Sequence, residues 1–212
     1  VGDNKPAMAV QGRNKDELMR LMRSLIKSKY EHIAKPIILD KSRGWPHPSI
    51  MKTMEEVLGQ KPKIIATVRS VPDCAASFVR AVRPGSVKDF LRHSEIIQHL
   101  RSSYVILEKG YKVEPDNFLF VEYENLVNSK QEQMDLIHEF LGLETFKYNF
   151  DDIKSDVVAE LDADVWKIPD LHFVAPRLEY RHSQDSKIVL GTQYESFCQP
   201  AFWRPNPTAY SE

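Results

Sequence analysis

The chain has 212 residues, 42% hydrophobic and 28% charged, the composition of one soluble globular domain large enough to bury a core. Its formal net charge of −1 removes the argument for a general nucleic-acid binder, which ordinarily carries a basic excess. No apolar run approaches the roughly 18 residues that a membrane helix needs, so neither nucleic acid nor membrane is an expected partner.

Cys74 and Cys198 lie far apart with no metal-ligand spacing, and are expected to be reduced thiols of a cytoplasmic protein. The chain opens on Val1-Gly2-Asp3-Asn4-Lys5, without an initiating methionine or a signal-peptide core, which fits a processed, trimmed or truncated product.

Residues 1–13 are polar and read as a loop. Over about 15–30 the spacing predicts a helix: Asn14 and Glu17 form a capping pair, and Leu18, Leu21, Met22, Leu25 and Ile26 share a face. The short apolar run 36–39 ends in Asp40-Lys41-Ser42-Arg43 and reads as a buried parallel strand opening into a functional loop. A helix over 48–58 stops at Gly59, and 64–68 is a second buried strand ending at Arg69.

Ser70 then caps a helix with Pro72 in its first turn, expected to end near Gly85. A longer helix is predicted from 86 to about 109, closed by Gly110. Phe118–Val121 is the third strand. Ser129 and Glu132 form a second capping box, opening a helix that carries Met134, Ile137, Phe140 and Leu141 and stops at Gly142. After about Thr145, prolines at 169, 176, 200, 205 and 207 mark an irregular segment wrapped over the core. Strands alternating with helices predict a single α/β domain, three-layered, with a mostly parallel central sheet flanked by helices. Its core spans about 35–145 and its C-terminal wrap 146–212.

In open parallel sheets, ligands bind beyond the carboxyl ends of strands, where helix N-termini favour anions. Arg69 stands at such an end, and Asp73, Ser77 and Arg80 share one face of the following helix. A guanidinium fork and a hydroxyl suit a phosphate. Chemistry alone also allows, and slightly favours, a pairing of Arg69 with a neighbouring carboxylate while Ser77 packs.

Val68-Arg69-Ser70-Val71-Pro72-Asp73-Cys74-Ala75-Ala76-Ser77 resembles the 3′-phosphate motif of sulfotransferases, with the serine eight residues after the arginine and the proline one place later than usual. In the same order, Phe120-Val121-Glu122-Tyr123-Glu124-Asn125-Leu126-Val127 and Phe140-Leu141-Gly142-Leu143 are similar to that family's Tyr-Glu-Asp-Leu segment and its Phe-Leu-Gly-Leu. The resemblance implies a P-loop-type fold and 3′-phosphoadenosine 5′-phosphosulfate (PAPS) as sulfuryl donor, with the nucleotide PAP as product and no metal. It implies that Arg69 and Ser77 hold the 3′-phosphate and that Tyr123 meets the adenine. Glu124 reads as structural, bonding loop backbone.

Asp40-Lys41-Ser42-Arg43-Gly44-Trp45-Pro46 looks like the Asp-Lys-Ser segment after the family's second strand, where the lysine faces the transferring group. A fixed ammonium there stabilises charge that grows on the bridging oxygen. Lys41 is the candidate for electrostatic catalysis and Arg43 for an anionic substrate, with a solvated charged loop as the plainer alternative. Residues 171–177, 189–191 and 202–204 are similar to the family's C-terminal region, with Arg181 and Ser183 where relatives fold over the nucleotide. His172 and His182 show no ligand spacing and are expected to pack or face solvent.

The resemblance spans about 35–205 but lacks the family's opening strand and its Pro-Arg-Ser-Gly-Thr-Thr-like loop, which elsewhere cradles the 5′-phosphosulfate. A fragment of a longer reading frame is the expected explanation. His47 is then the nearest candidate for the base, being the residue type most used for that work at neutral pH. The leading expectation is sulfuryl transfer to a hydroxyl or amine on a small-molecule, carbohydrate or peptide acceptor. A non-catalytic nucleotide-binding module of the same fold is the alternative. A P-loop kinase relative is disfavoured, for want of a Walker lysine and a magnesium-binding pair.

Overall fold

The computed structural model describes residues 14–35, 37–155, 174–180 and 184–205. Helix α1 (Lys15–Tyr30) begins where Asn14 Oδ1 accepts the Asp16 backbone N–H at 3.0 Å, satisfying one otherwise open donor of the first turn. Leu18, Leu21 and Leu25 on this helix remain exposed. Met22 and Ile26 of the same face are half-buried, and polar contacts dock the helix as well: Lys15 meets Glu56 at 2.8 Å, and Arg23 donates to the carbonyls of Glu56 (2.6 Å) and Val57 (3.0 Å). Those carbonyls close helix α2 (Pro48–Leu58), which ends at left-handed Gly59 as the sequence predicts.

The sheet holds two parallel strands among the described residues, β1 (Ile64–Val68) and β2 (Phe118–Glu122), in register from Ile64 opposite Phe118 to Val68 opposite Glu122. The strand expected over 36–39 is not formed by residues 37–39. Pro36 lies outside the described residues, Ile37, Ile38 and Leu39 have no ladder partner, and Leu39 is 77% exposed. An apolar run becomes a strand only when a neighbour takes its N–H and C=O groups, and among the described residues none does so for 37–39.

Between the strands run α3 (Val71–Val82), α4 (Val87–His93) and α5 (Glu95–Val113). Ser70 caps α3 as expected, but the helix leaves at Arg83, left-handed at φ 49°, before reaching Gly85. The single helix predicted over 86–109 is two, broken at Ser94, whose extended backbone ends α4 and starts α5. Gly110 does not close α5 but sits buried within it, because the Pro46 carbonyl passes so close that a Cβ would overlap its oxygen.

After β2 come α6 (Tyr123–Asn128) and α7 (Lys130–Leu141), the latter ending at left-handed Gly142. The Ser129–Glu132 capping box is not made: the Ser129 N–H is still donating to the Asn125 carbonyl of α6, and its side chain makes no cap bond. The irregular C-terminal segment carries a short α8 (Ser186–Leu190) and a 3₁₀ turn (Gly191–Phe197).

Two buried clusters hold the layers. Val71, Ala75, Ala76 and Val79 of α3 pack with Leu91, Ile97, Leu190 and Phe197. Met51, Ile64 and Phe118 pack with Trp45, Leu107, Tyr111 and Phe120. Val121, on the other face from Phe118 and Phe120 by strand alternation, is 2% exposed, so both sides of this small sheet are covered. The outcome is an α/β fold with helices layered on a parallel sheet, as predicted, one strand poorer than expected.

Candidate functional site

Because Val68 stands opposite Glu122, Arg69 and Tyr123 leave the sheet side by side at its carboxyl edge. The Arg69 guanidinium lies over the Tyr123 ring, 4.5 Å from the centroid. Its Nε donates to Glu124 Oε1 at 3.2 Å, and Asp73 Oδ2 stands 3.9 Å from the same nitrogen. The ion pair that chemistry alone allowed is therefore present, yet it occupies one edge of the fork. Among the described residues nothing hydrogen-bonds the two Nη groups.

Ser70 fixes the facing helix end. Its Oγ accepts the Asp73 N–H at 3.3 Å and donates to Asp73 Oδ2 at 2.6 Å. Ser77 lies one turn beyond Asp73 on the same face and is exposed. Burial pushes the Cys74 thiol up to about 11; Arg69 and Arg43 pull against that, while Asp73 and Glu124 add to it. Arg43, on the loop after residue 39, thus stands within electrostatic reach of this helix end.

That loop is tied internally. Trp45 Nε1 donates to Asp40 Oδ2 at 2.7 Å, the Gly44 N–H donates to Ser42 Oγ at 3.1 Å, and Pro46 is wedged against Gly110. Lys41 and Arg43 are left exposed. His47, the candidate base, is exposed and serves the fold as well. It is the N-cap of α2, where its Nδ1 accepts the Ser49 N–H at 3.3 Å and lies 2.8 Å from Ser49 Oγ. An accepting Nδ1 puts the ring proton on Nε2, so the other edge of the ring is a donor.

Arg181 and Ser183, with His172 and His182, lie outside the described residues. The residues flanking 181–183 do meet the site: the Tyr180 ring is 6.3 Å from that of Tyr123, and Arg80 Nη1 donates to the Gln184 carbonyl at 3.0 Å.

Two contributors escaped the sequence. Glu124, expected to bond loop backbone, instead grips Arg69 through its side chain. Glu122 accepts from Trp203 Nε1 at 2.8 Å and from Arg204 Nε and Nη2 at 2.6 and 2.7 Å, which lowers its carboxyl pKa. Those contacts pin the C-terminal strap to the residue before Tyr123. The only advance signal was alternation: Glu122 and Glu124 bracket Tyr123 at a strand end, where charge has no packing reason to be.

Two surface depressions lie away from this cluster. A groove of about 450 Å³ runs between Leu126, Met134, Phe150 and Leu178, and one of about 600 Å³ follows the acidic side of α7. Neither is lined by a cation that the motifs single out, so the open, charged strand edge is the better candidate. Among the described residues no three of His, Cys, Asp and Glu gather as metal ligands, and no helix is long and apolar enough to cross a membrane.

A family model described as "Sulfotransferase family" matches residues 13–147, the span that carries Lys41, Arg69, Ser77 and Tyr123. Comparison with the curated proteins and with the solved structures finds no match.

Proposed function

Because the chain belongs to the sulfotransferase family, we propose that it transfers a sulfuryl group from PAPS to a hydroxyl or amine acceptor, holding the donor's 3′-phosphate at Arg69. The observation that carries this reading is the Arg69 fork, fixed at the carboxyl end of β1 with neither Nη group hydrogen-bonded among the described residues. Two parallel N–H donors suit a phosphate better than any neutral ligand. Ser77, exposed one turn along α3, supplies a further donor, and the Tyr123 ring offers stacking area and a hydroxyl to a purine.

PAPS, when bound, supplies the sulfuryl group, and negative charge grows on the oxygen it leaves. Lys41 is the residue we assign to that charge. Its loop is braced by the Asp40–Trp45 bond and the Pro46–Gly110 contact, so the ammonium is carried on a short, tied segment rather than a free tail. Arg43, near the same helix end, suits an anionic part of donor or acceptor. His47 as base requires its cap on Ser49 to be given up. That cost favours, among the alternatives, a module that binds the nucleotide without turning it over.

Calorimetric titration with PAP tests the site. The intact chain is expected to bind, and Arg69→Ala to weaken binding about 10- to 100-fold, the worth of a charge-assisted phosphate contact. No binding by the intact chain overturns the nucleotide assignment. Binding without sulfuryl transfer to any alcohol, amine, sugar or tyrosine acceptor selects the binding module.

A further inference from the structure

From the contacts around Arg69 we infer that Glu124 is a positioning residue for the phosphate fork, a role that rests on the nucleotide reading above. Arg69 is a long side chain at a strand end, and left alone it samples many rotamers. Two consecutive residues of α6 remove that freedom. Tyr123 lies against the guanidinium plane at 4.5 Å, and Glu124 takes the Nε edge at 3.2 Å. A planar group held by one face and one edge has its orientation fixed, and among the described residues neither Nη group is hydrogen-bonded.

The place of the guanidinium follows from the sheet. Val68 and Glu122 are paired, so the Arg69 side chain and the first turn of α6 start from adjacent points. Asp73, on the helix that also carries Ser77, stands 3.9 Å from the same Nε, so the guanidinium lies against the start of that helix. Glu124 also brings a cost: it is an anion near a site proposed for a dianion. Its side chain is 41% exposed, so solvent screens that repulsion, whereas the contact to Nε is direct. Orientation outweighs repulsion on this geometry.

Glutamine and alanine at this position separate the two effects. Glu124→Gln keeps a side-chain oxygen for Nε and removes the charge; Glu124→Ala removes both. Binding of PAP, and of AMP as a probe lacking the 3′-phosphate, is measured for the intact chain and both variants, with melting curves recording folding. Glu124→Gln is expected to bind PAP as tightly as the intact chain or tighter. Glu124→Ala should bind PAP about tenfold more weakly than Glu124→Gln, with AMP affinity equal in the two.

Equal PAP affinity in the two variants overturns the inference, as does a parallel loss of PAP and AMP. Should Glu124→Ala fail to fold, Glu124→Leu, similar in volume and unable to accept a bond, takes its place with the same expectation. An intact chain that binds no PAP overturns the nucleotide reading itself, and this inference with it.

Discussion

A methyl group at Gly110 would meet the Pro46 carbonyl inside a buried contact, although alanine is the better helix former. The gain in propensity is about 1 kcal/mol, while forced overlap in a packed interior costs about 1–3 kcal/mol. The obstacle is backbone, which cannot swing aside as a side chain would. Gly110→Ala is therefore expected to lower stability by about 1 kcal/mol in urea titration, against the propensity trend. The same push falls on the loop 40–47, so any sulfuryl transfer should fall more than PAP affinity does. A variant more stable than the parent would show that the close approach is not maintained in solution.

Among the elements, α1 is the one held least by apolar burial. It has no buried residue, and its polar attachment to α2 is the Lys15–Glu56 pair and the two carbonyls taken by Arg23. Surface ion pairs contribute little, whereas a guanidinium that closes a helix end satisfies carbonyls otherwise left open. Arg23→Ala is expected to abolish slow hydrogen exchange in α1 while exchange in β1, β2 and α3 stays unchanged. Equal loss throughout would mean that α1 belongs to the main cooperative unit.

This element also marks where reading the sequence stopped. Its bounds were legible from the apolar spacing and Asn14, and α2, β1 and β2 were legible from capping and short apolar runs. What those signals do not encode is a partner. The run at 36–39 has the composition of a buried strand, and among the described residues 37–39 have no neighbour to pair with. Gly110 has the appearance of a helix stop and is there for close packing. The site was legible to the same degree: Arg69 could be named from a strand end and Tyr123 from the resemblance to the sulfotransferase segment, and their contact follows from strand register. Glu124's hold on Arg69 could not be named, because it depends on a side-chain direction set only once α6 turns.

Across the whole molecule, the far C-terminal strap and the site are joined at Glu122. Tyr104 Oη donates to the Pro200 carbonyl at 2.6 Å, Phe202 packs edge-on to Tyr104 and Phe120, and Trp203 and Arg204 end on the Glu122 carboxylate. Bonds from Arg204 and Trp203 lower the Glu122 pKa below its ordinary 4.5. A depressed carboxyl pKa contributes stability that is present above the unfolded value and is lost as pH falls through the folded one. Acid titration should thus release the strap below about pH 4.5, read as a change in tryptophan emission and as new proteolysis near residues 200–205. In Glu122→Gln that acid-dependent step should be absent. A step of unchanged size in the variant would assign it to another carboxylate.

Burial leaves the Cys74 thiol with a pKa of about 11, and that of Cys198 is raised as well, so neither forms much thiolate near neutrality. The native chain is therefore a quiet background for thiol chemistry. A cysteine introduced at exposed Ser77 would stand out against it, carrying a spectroscopic or cross-linking label to the mouth of the proposed phosphate site while Arg69, Tyr123 and Glu124 keep their native side chains.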